Sequence, residues 1–367
     1  EIVKALYRGA KILILDEPTA VLTPQEVEEL IKIMRRLREQ GCSIIIITHK
    51  LKEVMAATDR ITIMRKGVVT GRVNTAETNE TELANLMVGR EVNLRIPKGD
   101  TSAFRQRVLE VRDLEVYNER GQRAVDHVSF SVKQGEILGV CGVEGNGQKE
   151  LVDMLFHLNV PNAGTVTVNG ENILGVSQRK IREKGVSLVP EDRMIYGIAG
   201  AASIQENLIS DRCGAKRLNK GPMFDMKAIH AEVDQLIRDY TVLCKSGSQR
   251  VDNLSGGNIQ KVVVAREFSN DPCLIIADQP TRGIDVGATE FIRRKLVELS
   301  RAGVAVLLVS ADLNEVMELS DSLMVMCGGH IAAYFEDTSE LSDEVMGEYM
   351  LGLKRQTPEE VRRVCHE

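Results

Sequence analysis

The feature that most restricts the fold of this chain is an internal repeat. Asp278 follows Asp16 by 262 positions, and no gap is needed to extend the match. Further pairs at the same offset are Pro18 with Pro280, Thr19 with Thr281, Gly41 with Gly303, Leu51 with Leu313, Glu53 with Glu315, Asp59 with Asp321, Met64 with Met326 and Gly67 with Gly329. Because a self-similar sequence indicates a repeated structural unit, we predict that two copies of one domain lie in tandem.

The second copy contains the most informative stretch, residues 254–285. A Ser-Gly-Gly turn at 255–257 opens a helix, and the apolar run 274–277 leads into Asp278. A Gly pair before a helix lets backbone N–H groups face an anion. An apolar strand that ends in a carboxylate is the usual way in which an α/β sheet presents an acid to Mg²⁺ and phosphate. This stretch therefore predicts a phosphate and metal site.

A glycine-rich loop at residues 142–147 follows another apolar run and precedes a helical pattern. Its spacing matches the phosphate-binding loop G-x-x-x-x-G-K-[ST], but Gln148 takes the Lys position and Lys149 takes the Ser/Thr position. The loop predicts a backbone cradle for phosphate whose usual cation and hydroxyl are displaced. A structural glycine turn without a nucleotide is the alternative.

In the first copy, an apolar strand at 11–15 ends in Asp16 and Glu17, and the strand at 43–47 leads to His49. In a carboxylate pair at a strand end, one carboxylate can bind a metal ion while the other acts as a general base, and a His can contact phosphate. A solvated turn carboxylate and a helix cap are the alternatives for Glu17 and His49. The second copy has Gln279 and Ala311 at these positions. Since Gln cannot accept a proton, loss of such a base typically costs about 10²–10⁴ in rate.

The motif LSGGN, followed by the apolar strand and its acid, resembles the signature and Walker B motifs of ABC-type ATPases. The resemblance covers nearly the whole chain. It implies an α/β fold of the P-loop NTPase type, with a mostly parallel sheet flanked by helices, an antiparallel β-layer and a helical subdomain. One partial and one complete copy are expected. It also implies that Asp16 and Asp278 bind the metal, that Glu17 polarises the attacking water, and that His49 contacts the γ-phosphate.

The resemblance further implies a set of nucleotide contacts, drawn from the glycine loop, the signature and single loop positions. They are Tyr117, Gly142, Val143, Glu144, Gly145, Asn146, Gly147, Gln148, Lys149, Glu150, Glu191, Leu254, Ser255, Gly256, Gly257, Asn258, Gln279 and Asp285. Tyr117 would stack on adenine, although an ordinary strand aromatic is the alternative. Glu191 stands where the family has the Gln of its Q-loop. Thr23 stands where the second copy has Asp285.

Domains of this family resemble one another in pairing head to tail, so that each nucleotide lies between the Walker motifs of one and the signature of the other. Asp16, Glu17 and His49 would then face the intact signature at 254–258. The other site would carry Gln148, Gln279 and Ala311. We therefore expect hydrolysis at the first site and mainly nucleotide holding at the degenerate second site.

The expected boundaries are 1–91 for the C-terminal part of a first ABC ATPase domain, 92–106 for a linker, 107–353 for a second ABC ATPase domain and 354–367 for a polar, frayed tail. The offset places the first copy's signature before residue 1, so we expect an N-terminally truncated fragment. Between Glu191 and Leu254 lies a helical insertion that would meet the membrane partner together with the Q-loop. Its apolar stripe is expected to be core; the stripe is Ile229, Val233, Leu236, Ile237 and Tyr240.

A net charge of −6 argues against a nucleic-acid binder, which normally has a basic patch. No run of 18 apolar residues and no signal peptide is present in the sequence. The seven scattered Cys contain no C-x-x-C pair, which is typical of reduced cytosolic thiols.

The motifs GVEGNGQ, VPEDR and PTRGIDVGA look like those of ATPase subunits from bacterial importers of simple sugars or nucleosides, and EPTAVLTPQEVEEL favours nucleosides. This resemblance implies ATP and Mg²⁺, transmembrane permease subunits, and a periplasmic or lipoprotein solute-binding protein that acts indirectly. It implies a peripheral location on the cytoplasmic face of the cell membrane. Two alternatives remain: a soluble tandem ABC protein without a membrane partner, which the short, non-basic linker argues against, and a non-catalytic nucleotide-binding scaffold.

Overall fold

A computed structural model describes residues 10–19, 22, 24–48, 50–65, 67–91, 106–156, 161–338 and 341–366. The predicted switch residue His49, the linker residues 92–105 and Thr23 therefore lie outside the described residues. Contacts divide the chain into two compact units. The first is Glu1–Leu94 with Asp285–Glu290, and the second is Arg95–Ile284 with Phe291–Glu367.

Within residues 10–91, the described part of the first unit has a parallel strand pair, an antiparallel strand pair and three helices. In chain order these are β1 (Ile12–Asp16), α1 (Pro24–Glu39), β2 (Ser43–Ile47), α2 (Leu51–Ala57), β3 (Arg60–Arg65), β4 (Val68–Asn74), the 3₁₀ turn Thr75–Glu77 and α3 (Glu80–Val88). β1 pairs in parallel with β2, and β3 pairs antiparallel with β4. The parallel pair fits a β–α–β crossover through α1.

The second unit begins with an antiparallel layer and the glycine loop. Its first elements are β5 (Arg107–Tyr117), β6 (Arg123–Lys133), β7 (Ile137–Cys141), α4 (Gln148–Leu155), β8 (Ala163–Val168), β9 (Glu171–Asn172), α5 (Gln178–Glu183), β10 (Val186–Val189), the π turn Arg193–Gly197 and α6 (Ile204–Ile209). β6, β5, β8 and β9 form the antiparallel layer in that order. The antiparallel β-layer expected from the family resemblance is thus confirmed.

The later part of the chain completes the main sheet, and all of it except residues 285–290 belongs to the second unit. Its elements are the 3₁₀ turn Lys216–Leu218, β11 (Asn219–Lys220), β12 (Met223–Phe224), α7 (Met226–Asp239), the 3₁₀ turn Val251–Asn253, α8 (Gly256–Phe268), β13 (Leu274–Asp278), α9 (Val286–Arg301), β14 (Ala305–Val309), α10 (Leu313–Leu319), β15 (Ser322–Cys327), β16 (His330–Phe335), α11 (Asp343–Met350), α12 (Pro358–Val361) and the 3₁₀ turn Arg362–Cys365.

The main sheet has six strands in the order β10, β13, β14, β7, β15, β16, and all of its pairs are parallel except β15 with β16. Every residue of β7, β10, β13 and β14 is buried, as expected for parallel strands covered on both faces. β7, β10 and β13 end at the same edge because they run in one direction. This edge carries the glycine loop, Glu191 and Asp278.

Elements of the first unit recur in the second at the offset of 262 positions. β1 corresponds to β13, α1 to α9, β2 to β14, α2 to α10 and β3 to β15. Ile12 pairs with Ser43 as Leu274 pairs with Ala305. The register also shifts at equivalent places, between Ile63 and Met64 and between Val325 and Met326. Equivalent sequences thus adopt the same local structure.

One face of the β1–β2 sheet is exposed. Ile12 and Ile14 are each 64% exposed, and Ile45 and Ile47 are each 51% exposed. Their counterparts in the second unit are at most 3% exposed; these are Leu274, Ile276, Leu307 and Val309. Equivalent apolar strands therefore lie in the core of the second unit and leave one apolar face exposed in the first unit.

The predicted apolar stripe of α7 is core: Ile229 and Val233 are each 1% exposed. The expectation of a frayed tail is wrong for residues 354–366. Val364 is fully buried, the hydroxyl of Ser131 donates to the carbonyl oxygen of Cys365 at 2.7 Å, and His366 contacts Glu136. Among the described residues, no helix has the length and apolarity needed to cross a bilayer.

Candidate functional site

The glycine loop joins β7 to α4 with a backbone that only glycine fits well. Gly145 and Gly147 have φ of +88° and +102°, in the left-handed region that favours glycine. A Cβ on Gly147 would lie 2.2 Å from the carbonyl oxygen of Ala124. Asn146 fixes the loop from the other side, because its side-chain oxygen accepts from the backbone N–H of Gly328 at 2.8 Å. The loop is therefore a rigid turn at a helix N-terminus.

Gln148 folds back over the start of this loop. Its Nε2 donates to the carbonyl oxygen of Val143 at 3.3 Å, and a Cβ on Gly142 would lie 2.3 Å from the same nitrogen. The side chain thus places a neutral donor inside the turn. A lysine at this position would bring a charged donor to the same place.

Asp278 is buried at the end of β13 among other charged groups. Burial raises its pKa to about 7, and the carboxylates of Glu191 and Asp153 add to the shift, whereas Arg282 and Lys149 oppose it. Burial also raises the pKa of Asp153, against the charge of Lys149. Lys149 therefore lies close enough to both acids to affect them, and the displaced lysine remains part of the site.

The residues present fit ATP and Mg²⁺ by donor chemistry. Mg²⁺ is usually held by one or two carboxylates together with substrate phosphates, and the clustered acids raise the pKa of Asp278 in the absence of a cation. Among the described residues, no three acidic, His or Cys side chains form a cage of their own. Asp278 and Glu191 would thus hold Mg²⁺ together with phosphate oxygens, and the glycine loop would hold the phosphates.

Gln279 and Ala311 contact each other in the second unit. Gln279 has φ of +49°, and its Oε1 accepts from the backbone N–H of Ala311 at 3.1 Å. Below them, the buried carboxylate of Glu315 accepts from the hydroxyls of Thr281 and Ser310, each at 2.7 Å. The position of the predicted base is thus occupied by an amide held to the backbone.

The first unit repeats this geometry with a carboxylate. Glu17 has φ of +44°, and its backbone N–H donates to the carbonyl oxygen of Ile47 at 2.9 Å. The hydroxyl of Thr48 lies 3.5 Å from Glu17 Oε2, and that of Thr19 donates to Glu53 at 2.6 Å. Asp16 ends β1 and is exposed, whereas its counterpart Asp278 is only 8% exposed.

The signature turn precedes α8. The hydroxyl of Ser255 accepts from Asn258 Nδ2 at 2.9 Å, and Asn258 Oδ1 accepts from the backbone of Leu243 at 2.8 Å. Gln260 Nε2 donates to the carbonyl oxygen of Pro280 at 2.8 Å, which connects α8 to the loop after Asp278. Further along the chain, Asp285 caps the start of α9 by accepting from Ala288 at 3.0 Å.

Tyr117 lies at the end of β5 and is half-buried. Its hydroxyl accepts from Arg123 Nε at 3.3 Å, and the Arg123 guanidinium lies 5.7 Å from its ring centre. These contacts fix the ring at the end of β5.

Sequence patterns did not identify three residues that connect these loops, which are Arg193, Gln260 and Arg282. Nη1 and Nη2 of Arg193 donate to the carbonyl oxygens of Arg282 and Gly283 at 2.9 and 3.2 Å. The Arg282 guanidinium pairs with Glu191. No local pattern predicts such contacts, because the partners are about 90 positions apart in the chain.

A family model described as ABC transporter matches residues 125–282. The guanosine import ATP-binding protein NupO of Bacillus subtilis (strain 168) is 43% identical over 352 residues, which are 96% of this chain and 69% of that protein. The glucose import ATP-binding protein TsgD13 of Haloferax volcanii is 41% identical over 355 residues, which are 96% of this chain and 64% of that protein.

Among solved structures, the dimeric post-hydrolysis state of an ATP-binding cassette bound to ADP and Pi matches with a TM-score of 0.54 at 21% identity. The match covers 62% of this chain and 97% of that one. A nucleotide-free ATP-binding cassette from an ABC transporter matches with a TM-score of 0.53 at 20% identity, over 70% of this chain and 98% of that one. At these identities the matches establish the fold, which is that of ABC ATPases.

Proposed function

Because the chain belongs to the family of ABC transporter ATP-binding proteins, we propose that it binds ATP and Mg²⁺ at residues 142–150 as part of a subunit that powers solute import. The single observation that carries this proposal is the meeting of the glycine loop and the buried Asp278 at one edge of the main sheet. ABC ATPases place phosphates and metal at such an edge. The chain spans 64% of the glucose-import relative and 69% of the guanosine-import relative, so the activity of the whole subunit is part of the proposal.

In this proposal each unit has a site at the carboxyl ends of its parallel strands, and the two sites have different roles. Hydrolysis takes place at the site of the first unit, where Asp16 binds the metal, Glu17 is the base and His49 contacts the γ-phosphate. The site of the second unit mainly holds nucleotide, because Gln279 cannot take a proton and its oxygen already accepts from Ala311. The contrast between a carboxylate and an amide at equivalent positions supports this division.

The subunit is further proposed to carry two copies of the ABC domain, of which residues 10–91 are the later part of the first. Two observations support this. The elements recur at one constant offset, and the exposed isoleucines of β1 and β2 correspond to residues that are buried in the second unit. In the second unit, residues 107–189 supply β10 and β7, the neighbours of β13 and β14. The equivalent segment of the first copy would cover the isoleucine face.

The proposed solute is a simple sugar or a nucleoside, and the proposed partners are transmembrane permease subunits, with a solute-binding protein acting through them. Relatives named for guanosine, nucleoside, glucose and ribose import support this class. The proposed location is peripheral, on the cytoplasmic face of the membrane. Met194, Ile195 and Tyr196 of the π turn are 50%, 70% and 59% exposed and would offer a surface to an apolar partner.

Titration calorimetry of the chain with ATP and Mg²⁺ tests the nucleotide site. Gln148→Lys should tighten binding by at least about tenfold, because a charged donor inside the glycine loop adds about 1.5–3 kcal/mol. Gln178→Lys, which adds the same charge at an exposed position of α5, is the matched control and should leave the affinity within twofold. Binding that responds equally to both variants, or no binding at all, would disprove the proposed site.

The alternative of a non-catalytic nucleotide-binding scaffold is favoured by one observation. The glycine loop present in the chain carries Gln148, and the base position beside it carries Gln279. The scaffold alternative and the first proposal predict different effects of the substitution Glu17→Gln on ATP turnover. In a chain extended through a complete first copy, this substitution should abolish turnover if the subunit hydrolyses ATP, and a scaffold would show no turnover to abolish.

A further inference from the structure

We propose that a cleft between the antiparallel layer and the C-terminal 3₁₀ turn binds a small anion that carries a phosphate group. The cleft has a volume of about 300 Å³, which is within the range of small-ligand sites. All of its lining belongs to the second unit, and none of it to residues 142–150. We call it the arginine cleft, and its charged residues are Arg107, Glu110, Arg112, Asp113 and Arg362.

One side of the arginine cleft is a row of charges on β5. Glu110 Oε2 accepts from Arg107 Nη1 at 3.3 Å and from Arg112 Nη2 at 3.1 Å. A single carboxylate oxygen thus holds two guanidinium groups beside each other. Because a guanidinium has five N–H donors in a fixed fork, the bond to Glu110 leaves other donors of Arg107 for a ligand.

The other side is the C-terminal 3₁₀ turn, which is attached to β6 and to the start of β7. The hydroxyl of Ser131 donates to the carbonyl oxygen of Cys365 at 2.7 Å. Nε2 of His366 lies 3.1 Å from a carboxylate oxygen of Glu136. Arg362 begins this turn, so it lines the cleft from a backbone that is already held in place without a ligand.

Arg362 is the basic group of the cleft that lacks a protein partner. Within the ranges that the structure describes, its guanidinium makes no hydrogen bond or ion pair. The two carboxylates of the cleft are engaged by other groups, because Glu110 is bonded to the arginines of β5 and Asp113 lies 2.7 Å from His127 Nδ1. Three guanidinium groups thus share the cleft with one carboxylate between them, and the charge that is missing there is negative.

A phosphate group is the anion that fits three guanidinium groups. Arginine binds phosphate through pairs of parallel N–H···O bonds. A phosphate group offers three strong acceptor oxygens and close to two negative charges near neutral pH, whereas a carboxylate offers two oxygens and one charge. The small volume of the cleft suits inorganic phosphate, pyrophosphate or a small phosphate monoester. The net charge of −6 argues against nucleic acid as the source of the phosphate.

Such a ligand would join two distant parts of the chain. Arg107 and Arg112 belong to β5, and Arg362 belongs to the last turn of the described chain. A ligand that binds only the folded arrangement stabilises it by mass action, and bonds to Arg362 require that the turn is attached. Occupancy of the cleft should thus slow local opening of the C-terminal turn.

Titration calorimetry with inorganic pyrophosphate in a buffer without Mg²⁺ is the first test. Arg362→Gln should weaken binding at the cleft by at least about tenfold, because charge-assisted bonds are lost. Arg363→Gln removes the same charge from the next residue, which is exposed and does not line the cleft, and should leave the affinity within about twofold. Equal weakening by both variants would indicate general charge attraction and overturn the site, as would the absence of binding.

A second pair of variants tests the contribution of β5. Arg112→Gln should weaken pyrophosphate binding as Arg362→Gln does, whereas Arg120→Gln, at an exposed position between β5 and β6, should not. If Arg112→Gln left the affinity of the natural chain unchanged, the anion would not bridge the two sides of the cleft, and the proposal would be wrong. The same titrations with inorganic phosphate and with glycerol 3-phosphate distinguish a free phosphate ion from a monoester as the ligand.

Because the glycine loop is also a proposed phosphate site, amide exchange assigns the anion to one of the two places. Saturating pyrophosphate should slow exchange of the amides in 362–366 by at least about threefold in the natural chain and in Arg363→Gln, but not in Arg362→Gln. Without ligand, exchange in β14 should be the same in all three proteins, which shows that the fold is intact. Pyrophosphate that protects 142–150 without protecting 362–366 would overturn the arginine cleft and leave the proposed nucleotide site standing.

Discussion

At the residue scale, the proposed nucleotide site of the second unit contains an acid in an unfavourable environment. Asp278 is 8% exposed, and its pKa rises from 3.8 to about 7. The folded state therefore keeps a proton that the unfolded state loses above pH 3.8. Since the folded state binds more protons, stability falls as pH rises from about 4 to 7. An acid that costs stability without its ligands is a common feature of functional sites.

Asp278→Asn should remove this cost. At 1.36 kcal/mol per pKa unit, the shift corresponds to about 4 kcal/mol at most above pH 7. We expect the variant to be more stable than the natural chain at pH 8, with an advantage that is about 2.6 kcal/mol smaller at pH 5. Urea unfolding in EDTA at the two pH values measures the difference.

Asp321→Asn is a suitable control for Asp278→Asn, because that carboxylate is paired with Arg301 at 2.8 Å and should lose stability when replaced. An advantage of Asp278→Asn that does not change with pH would show that the buried acid is ionised in both states, contrary to the prediction.

The placement of the candidate residues was partly predictable. Asp16 and Asp278 end strands and the glycine loop follows one, as predicted, because a strand–acid or strand–glycine pattern is local in sequence. Arg193, Arg282 and Gln260 were not, because each acts through a carbonyl or carboxylate that the fold brings from another part of the chain. The side-chain position of Gln148, which donates to the carbonyl oxygen of Val143, also depends on the folded loop and not on a local sequence pattern.

At the scale of elements, apolar runs predicted the strands well, and the segment after Leu353 shows where such patterns fail. Its few apolar residues gave no period, yet Val364 is fully buried in the core cluster that contains β5 and β6. His366 lies 3.1 Å from the buried Glu136, which also accepts from Ser322 at 2.6 Å. Such packing depends on distant partners and is not encoded in local periodicity.

Val364→Ala should therefore destabilise the chain by about 1.5–3 kcal/mol, the usual cost for a buried side chain of this size. Val345→Ala, on the exposed side of α11, should change stability by less than about 0.5 kcal/mol. Thermal unfolding of both variants measures the difference. Equal effects would mean that the segment 354–366 is not packed in solution.

The exposed isoleucine face is the second element-scale feature. Ile14 pairs with Ile45 across the β1–β2 sheet, and both point to the exposed side. An uncovered apolar sheet face favours association. Ile14→Thr with Ile45→Thr should reduce concentration-dependent light scattering and keep the free energy of unfolding within about 1 kcal/mol, because Thr keeps the β-branch.

The matched control changes the other face of the same strand. Leu13 and Leu15 are 4% and 7% exposed, so Leu13→Thr with Leu15→Thr should unfold the first unit and increase scattering. If the isoleucine variants scatter as much as the natural chain, this face is not the cause of association.

At the scale of the whole molecule, the 262-position repeat relates the two units of the chain, and the glycine loop at 142–147 belongs to the second. The carboxylate Glu17 lies in the first unit, whereas the position equivalent to it in the second unit holds Gln279. The proposed function thus implies a separation of nucleotide holding, in the second unit, from the catalytic base, in the first.

The separation predicts that the chain binds one nucleotide and does not turn it over. Calorimetry with ATP and Mg²⁺ should give a stoichiometry near one per chain, and steady-state phosphate release should stay at background. Gln279→Ala should change neither value, because the amide of Gln279 cannot accept the proton of an attacking water and already accepts from Ala311. Turnover that Gln279→Ala abolishes would contradict the assignment of roles to the two units, since the altered site would then be the hydrolytic one. Background turnover with one bound nucleotide would instead show that the intact carboxylates of the first unit need a phosphate loop that residues 142–147 do not supply.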